Sequence, residues 1–412
     1  MSATQGAADT ELDGKSRQLR TMRAMQRRMA DHLKAGRTTD LAPSTLEFDA
    51  SIYTDPVRLA TEKRELFLKL PLVAGLSCDI PNPGDVMLFD AAGPSILIVR
   101  GKDKKVRAFL NACRHRAGPV VRTCSNRQML SCPFHGWTYD LTGKLVGIPG
   151  EDGFAGIDRN SRNLISVPVA EWHGFIFIKA HAGDETIDVD SFLGSLAPEM
   201  RQLDVSKSRP VTSRRVDVAS NWKFAQDTFF EGYHFATIHP KTINTVNFSN
   251  VTIHDNFGPH QRVMMPTRTY MDWIAKPEAD WPQLPYQGIH LIFPNTIFFV
   301  GHLETFNLPA NSMRQIYGMW RIFPGKEPGS SFTLMSTFQP LEGNVDAELD
   351  EYKEVSEFII NVVRDEDYSL CAEGQRNLES SEGAKKILLG RNEVALQSIE
   401  RHIAKAIGLP LT

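Results

Sequence analysis

Two short stretches constrain this chain more than any other feature. Residues 113–115 read Cys-Arg-His and residues 132–135 read Cys-Pro-Phe-His, with sixteen residues between them. Each offers one thiol and one imidazole, so a fold that joins the two stretches presents four soft or borderline ligands to one point. Thiolates select zinc, copper(I) or iron–sulfur clusters, and imidazole suits zinc or iron. A structural zinc site with two Cys and two His is the simple alternative. Zinc fingers usually pair Cys with Cys and His with His, however, whereas here each stretch mixes the two. Disulfide logic does not account for the pattern either. Five cysteines is an odd number, and 412 residues need no staples, so a reducing compartment, the cytoplasm, is expected. Cys124 lies between the stretches without a His two or three positions on, and reads as a packed or surface thiol. Cys78 reads as structural.

In a Rieske-type [2Fe–2S] centre one iron takes two Cys and the other two His, which requires one of each from two equivalent loops. Arg-Ala-Gly-Pro follows His115, and Gly-Trp-Thr-Tyr-Asp follows His135. With these flanks the segment resembles the Rieske domains of ring-hydroxylating oxygenases, whose motif is C-x-H-R-(G/A) with C-P-(F/Y)-H-G-W. The resemblance implies a [2Fe–2S] cluster on Cys113, His115, Cys132 and His135. It also implies an all-β domain over residues 45–167, after an N-terminal helical segment over residues 1–44. Val86–Phe89, Ser95–Val99 and Val106–Leu110 are short β-type runs between Gly, Asp and Lys turn signals, and Trp137–Leu141 opens a further hairpin.

Residues 168–412 are far more than an electron carrier needs. They contain Asn221-Trp222-Lys223, Asp227, Glu231, Tyr233-His234 and His239-Pro240. If residues 221–234 form a helix, Asp227, Glu231 and His234 fall at spacings of four and three, on one face. Two imidazoles plus a carboxylate make the facial triad of non-haem Fe(II) enzymes. Two His five residues apart are weak by themselves, and ordinary buried or surface histidines are the alternative. The order N-W-K, then D/E-x-Y-H and a second His, about a hundred residues after the cluster loops, is similar to the catalytic domain of the same oxygenases. The resemblance implies His234 and His239 as ligands of a mononuclear Fe(II). Its E-D-x-x-L pattern, with Gln375 and Leu378 matching further on, makes Asp367 the third ligand and Asp365 the runner-up. Asp365 and Glu366 otherwise read as a solvated acidic turn, and Cys371 as a packing residue. In this family the acid at Glu231 hydrogen-bonds an iron-ligand His on one side and a cluster-ligand His of the neighbouring subunit on the other. Most ring-hydroxylating members have Asp there, and Glu is similar to the quaternary-ammonium branch. Asp227, where many relatives have Asn, joins Glu231 as a catalytic candidate.

The expected fold class is α+β: the Rieske domain, then a helix-grip (Bet v 1/START-like) catalytic domain with a twisted antiparallel sheet and a long C-terminal helix. Segments 287–300, 315–323 and 331–337 read as its strands. His290, His302, Trp273 and Phe298–Phe299 line a pocket or pack the sheet core.

The family implies a terminal oxygenase that uses O2 to hydroxylate an aromatic or similar apolar molecule. Oxidative O- or N-demethylation, including quaternary amines, is the alternative within the class, and a zinc-stabilised ligand-binding protein the one outside it. No G-x-G-x-x-G fingerprint and no plant-type ferredoxin Cys array is evident. Electrons must therefore come from a separate NAD(P)H-dependent reductase, with or without a ferredoxin. The family's two metal centres are too far apart within one chain, which implies a head-to-tail homotrimer. A net charge of -3 gives no polyanion signal, and no apolar run approaches the roughly 18–20 residues of a membrane span, so neither nucleic acid nor membrane is expected. The N-terminus lacks a secretory apolar segment. The basic stretch from Lys15 to Arg37 reads as a surface amphipathic helix, with Glu11, Asp13 and Asp31 arguing against a transit peptide.

Overall fold

The computed structural model describes residues 14–303, 314–341, 346–380, 382–383 and 385–411. These form two compact units, one of residues 60–192 and 204–209, the other of the remaining described residues.

The smaller unit is all-β in its framework. A five-stranded sheet runs in the order Ser166–Val167, Val106–Leu110, Ile96–Arg100, Asp85–Phe89, Ser125–Asn126. Every residue of Ile96–Arg100 is buried, as a central strand rich in Ile, Leu and Val should be. A second, three-stranded sheet joins Leu130–Ser131, Thr138–Tyr139 and Leu145–Gly147. The two share a core that includes Val86, Leu97, Phe109, Trp137, Tyr139 and Leu145. A third sheet pairs Phe175–Ile178 with Leu72–Leu76 and Val169–Trp172. That pairing extends this unit past residue 167. The strand Leu46–Asp49 instead pairs with Lys386–Leu389, so the chain before residue 60 packs with the larger unit.

The larger unit is built on a seven-stranded sheet in the order Ser208–Val218, Ser331–Pro340, Gln315–Pro324, Thr296–His302, Gly288–Ile292, His260–Met264, Ile253–Phe257. The consecutive hairpins from Ser331–Pro340 to Ile253–Phe257 are antiparallel. The segments 315–323 and 331–337 are strands, extended to Pro324 and Pro340, while 287–300 divides into two strands, Gly288–Ile292 and Thr296–His302, joined by a turn. Two helical layers cover the sheet. Leu349–Val362 packs on the strand Ser331–Pro340, and Val394–Ile407 buries Leu396, Ile399, Ile403 and Ile407 toward His260–Met264. The N-terminal helix Gly14–Lys34 buries Met22, Met25, Met29 and Leu33 at helical spacing. Its Arg28 is pinned at 2.6 Å by both Asp40 and Asp255. It is therefore half core, not wholly solvated. Among the described residues no helix is long and apolar enough to cross a membrane.

The expected helix over 221–234 does not form as one piece. Asn221 caps its start by accepting from the Lys223 N–H at 3.0 Å, but the helix ends at Asp227. A second, single-turn helix covers Phe235–Ile238. Between them the Glu231 carboxylate accepts the backbone N–H groups of Tyr233 and His234, donors that a continuous helix would have given to carbonyls. Asp227, Glu231 and His234 therefore do not share a helix face.

Candidate functional site

The two Cys/His loops have one backbone design. The Ala117 N–H donates to the Cys113 carbonyl and the Gly136 N–H to the Cys132 carbonyl, both at 2.9 Å. The Cys113 N–H donates to the Gly118 carbonyl at 2.8 Å, and the Cys132 N–H to the Trp137 carbonyl at 2.9 Å. The fifth residue of each loop is left-handed, Ala117 at φ 57 and Gly136 at φ 73. Glycine adopts that conformation freely; alanine carries a modest strain there. Both thiols are buried, at 4% and 3% exposure, and the His115 and His135 rings lie 4.7 Å apart. Trp137 stacks on His115 at 5.0 Å.

Hydrogen bonds tune this cluster of ligands. The Tyr139 hydroxyl lies 3.4 Å from Cys113 Sγ and accepts from the Arg114 N–H at 2.9 Å. Burial raises the Cys113 thiol pKa. The Arg116 guanidinium donates to His135 Nε2 at 2.6 Å, which fixes that nitrogen as an acceptor. Burial, together with the Arg116 and His115 charges, holds His135 below its usual pKa. His115 Nδ1 is buried with no hydrogen-bond partner among the described residues. A buried nitrogen so placed needs a partner. Two thiols and two imidazoles of this kind fit a Rieske cluster, with Cys113, His115, Cys132 and His135 as its holders. Cys124 is exposed.

In the larger unit, His234, His239 and Asp367 offer ligand atoms that all lie within 4.8 Å of one another. His234 and His239 bracket the Phe235–Ile238 helix, so a single turn brings both rings to one side. Their Nε2 atoms lie 3.5 Å and 3.3 Å from Asp367 Oδ1. Each Nδ1 is held by a second carboxylate: His234 by Glu231, and His239 by Glu366 at 2.6 Å. Thr242 donates to the same Glu366 oxygen at 2.7 Å. This is the carboxylate–histidine arrangement that fixes imidazole orientation at metal sites. Burial alone would lower His234, but hydrogen bonds to Asp367 and Glu231 outweigh it and lift the pKa to about 9. Burial would raise Asp367, yet the two histidines bring it below the usual carboxylate value. Two imidazoles and one carboxylate with a free side fit a mononuclear Fe(II).

Asp367 enters through a π turn, Val363–Asp367, inside the long helix that continues as Tyr368–Glu379. Asp367 is 5% exposed, while Asp365 faces outward, paired with Arg364 at 2.6 Å. Asp367, not Asp365, thus faces the histidines. Glu366 is the residue that sequence reasoning missed. In the sequence it reads as part of a solvated turn, and only the widened turn brings it to His239. Its single sequence signal was adjacency to Asp367.

Asp227 lies elsewhere. It is buried, its Oδ2 accepts from the Tyr53 hydroxyl at 3.0 Å, and it is not among the residues lining the cavity beside the triad. Burial, with the Glu400 charge nearby, raises its pKa well above the usual carboxylate value. The cavity is walled by Phe229, Phe235, Met264, Phe299 and Trp320, and the triad is among its lining residues. Phe299 lines it as one of the alternatives foresaw. His290 packs behind the sheet instead, donating from Nδ1 to the Phe298 carbonyl at 3.0 Å and accepting from Tyr286 at 2.8 Å. Phe298, His302 and Trp273 are buried away from the lining.

Known proteins share these two halves. Residues 71–167 match the Rieske [2Fe-2S] domain family, and residues 205–409 match the ring hydroxylating alpha subunit (catalytic domain) family. The glycine betaine monooxygenase oxygenase subunit of Chromohalobacter salexigens is 29% identical over 232 residues, 56% of this chain and 49% of that protein. The matched stretch thus spans about half the length of that relative. The carnitine monooxygenase oxygenase subunit of Acinetobacter baumannii is 26% identical over 340 residues, 81% of this chain and 85% of that protein. Among solved structures, a quaternary ammonium Rieske monooxygenase in complex with L-carnitine superposes with a TM-score of 0.72 at 21% identity, covering 89% of this chain and 96% of that one. Naphthalene 1,2-dioxygenase from Rhodococcus sp. bound to indole does so at 0.71 and 18%, covering 94% and 98%. At those identities the structures speak for the fold alone. Both halves, in order on one chain, place it in the family of Rieske non-haem iron oxygenases, as a large (alpha) subunit.

Proposed function

We propose that this chain is the terminal component of an oxygenase that hydroxylates an aromatic or similar apolar small molecule with O2. The observation that carries the reading is the pair of buttressed imidazoles, His234 and His239, facing Asp367 and lining a cavity walled by aromatic and Met side chains. When bound there, Fe(II) supplies O2 activation, with electrons from a Rieske cluster on Cys113, His115, Cys132 and His135. The chain's own residues do the rest. Glu231 and Glu366 fix both imidazoles through Nδ1, leaving each Nε2 turned to the metal position. The Phe and Trp walls bind the apolar frame and exclude water. Glu231 touches His234 on one side; on the other it would meet the cluster His of a neighbouring subunit in a head-to-tail trimer. Asp227, outside the cavity, is a positioning residue that holds the Trp222–Asp227 helix through Tyr53. Residues 45–167 would carry the cluster and 168–412 the oxidation. Electrons would come from a separate NAD(P)H-dependent reductase, with or without a ferredoxin, and the cytoplasm is the compartment that suits free thiols.

Oxidative N-demethylation of a quaternary amine is the second reading. Glu231 and the names of the glycine betaine and carnitine relatives favour it.

The test is oxygen uptake by the iron-loaded protein with a surrogate reductase, scored by mass gains of one or two oxygens and by formaldehyde release. Hydroxylated product without formaldehyde is expected; formaldehyde from an N-methyl substrate would favour the second reading. A colourless protein with no Rieske EPR signal after reduction would sink both and leave the zinc model. Glu231→Ala should keep the cluster spectrum and lose turnover by roughly 10–100-fold, the size seen when a group supporting a metal ligand is removed. Retained turnover would refute the bridging role.

A further inference from the structure

Two glycines lie beneath the aromatic wall of the cavity. The strand Thr296–His302 carries Phe299-Val300-Gly301, and its neighbour Gln315–Pro324 carries Gly318-Met319-Trp320. Residues two apart on a strand share a face. Gly301 therefore shares a face with Phe299, and Gly318 with Trp320, and both aromatics line the cavity. The register sets Phe299 directly across from Gly318. Each ring leans along its own strand over its glycine. A Cβ on Gly318 would lie 3.3 Å from Trp320 Cε2 and Cζ2 and 3.4 Å from Nε1, so the indole lies face-down on that position. A Cβ on Gly301 would lie 2.5 Å from Phe299 Cε1 and nearer still to Cζ, inside any real carbon–carbon contact. The two rings are parallel to within 6°, with centroids 5.9 Å apart. Neither glycine has the positive φ that disfavours other residues. What excludes a side chain at both positions is the ring above it. Glycine weakens a strand interior, and its presence there marks such a close approach.

We propose that Gly301 and Gly318 are specificity-determining residues: their missing side chains let Phe299 and Trp320 lie down on the sheet, and this sets how large an apolar frame the cavity admits. It rests on the oxygenase reading, which makes this cavity the substrate site, and names what sets its size. A methyl group on either glycine would stand between the sheet and the ring. The ring is then pushed off the sheet, and the space on that side is the cavity both rings line. Trp320 has little room to slide sideways, with the Phe229 ring centroid 5.1 Å away and Phe299 on its flank. At Gly318 a shift of a few tenths of an ångström relieves the contact, whereas Phe299 has to swing to clear Gly301. Close-packed walls absorb added volume poorly, so the cost falls on the space left for a ligand. A ligand of one ring tolerates that loss better than a ligand of two.

Anaerobic calorimetric titration of the cluster- and iron-loaded protein with benzyl alcohol and 2-naphthylmethanol tests the proposal, since the two uncharged probes differ by one fused ring. Gly301→Ala and Gly318→Ala should each weaken the naphthyl probe at least about tenfold and benzyl alcohol less than about threefold. An unchanged affinity ratio in the folded variants, or binding of neither probe by the wild type, would overturn it. Phe299→Ala removes the ring that Gly301 accommodates, so adding Gly301→Ala in that background should change neither melting temperature nor naphthyl affinity. This arm holds even where Gly301→Ala alone fails to fold; a loss of either quantity in the Phe299→Ala background would show that Gly301 acts without the ring and would overturn its assignment. Failure of the oxygenase reading shows separately, as no oxygen uptake with any substrate of a wider screen, because the titration needs no turnover.

Discussion

At the scale of single residues, the metal end of the site is a problem in proton placement. His234 and His239 each have one nitrogen engaged by a carboxylate and the other turned to Asp367. Without a metal, that geometry holds a proton on His234 up to about pH 9. A histidine whose folded pKa is raised stabilises the fold fully below its ordinary value near 6.5, and the contribution is lost as pH rises through about 9. The chelator-treated protein should therefore lose melting temperature between pH 7 and pH 10. The iron-loaded protein should not, because the metal takes the proton's place. A flat profile for the metal-free form would contradict the assignment. Glu366, which the sequence hid, yields the second prediction at this scale. Glu366→Gln removes the charge that orients His239 and should weaken iron binding roughly 10–100-fold. Iron content after dialysis measures it, and wild-type retention would show that Thr242 and packing suffice to hold the ring.

At the scale of elements, the parts that were legible in the sequence are those with a local code. The four cluster ligands lie within a few residues of one another in two loops, so spacing alone brought them out. The strands Ile96–Arg100 and Gln315–Pro324 announced themselves by composition. What stayed hidden depends on helix geometry that no residue pattern advertises. The 221–234 segment has helical spacing, yet Glu231 takes the Tyr233 and His234 amides and stops the helix from continuing. The Val363–Asp367 π turn holds one residue more than an α turn, and π turns are common at functional sites. Deleting Arg364, whose side chain is paired with its exposed neighbour Asp365, should let this turn close into regular α-helix. Cys371 and Gln375 would stay buried, so far-UV circular dichroism should be kept. Asp367 would turn away from the histidines, and mononuclear iron occupancy should fall at least about tenfold while the cluster spectrum persists. Full iron occupancy in the deletion variant would mean that the π turn is incidental to the site.

At the scale of the whole molecule, one chain carries both sets of ligands but does not by itself say which cluster serves which iron. The family resemblance implies a head-to-tail trimer, in which one chain's cluster serves the next chain's iron. The two alternatives predict different behaviour in mixed assemblies. Cys132→Ser removes a cluster ligand and leaves the triad; Asp367→Ala removes a triad ligand and leaves the cluster. If electrons pass only within a chain, every subunit in a mixture of the two variants lacks one centre and turnover is absent. If they pass to the neighbour, a site works whenever an intact triad stands next to a subunit with an intact cluster. In rings assembled at random from equal amounts, that arrangement has a probability of one half times one half, so about a quarter of wild-type turnover should return on co-expression. Mixing the purified variants without subunit exchange should restore none. Zero activity from co-expressed rings, with each variant retaining its own remaining centre, would place transfer within the chain and remove the trimer from the mechanism.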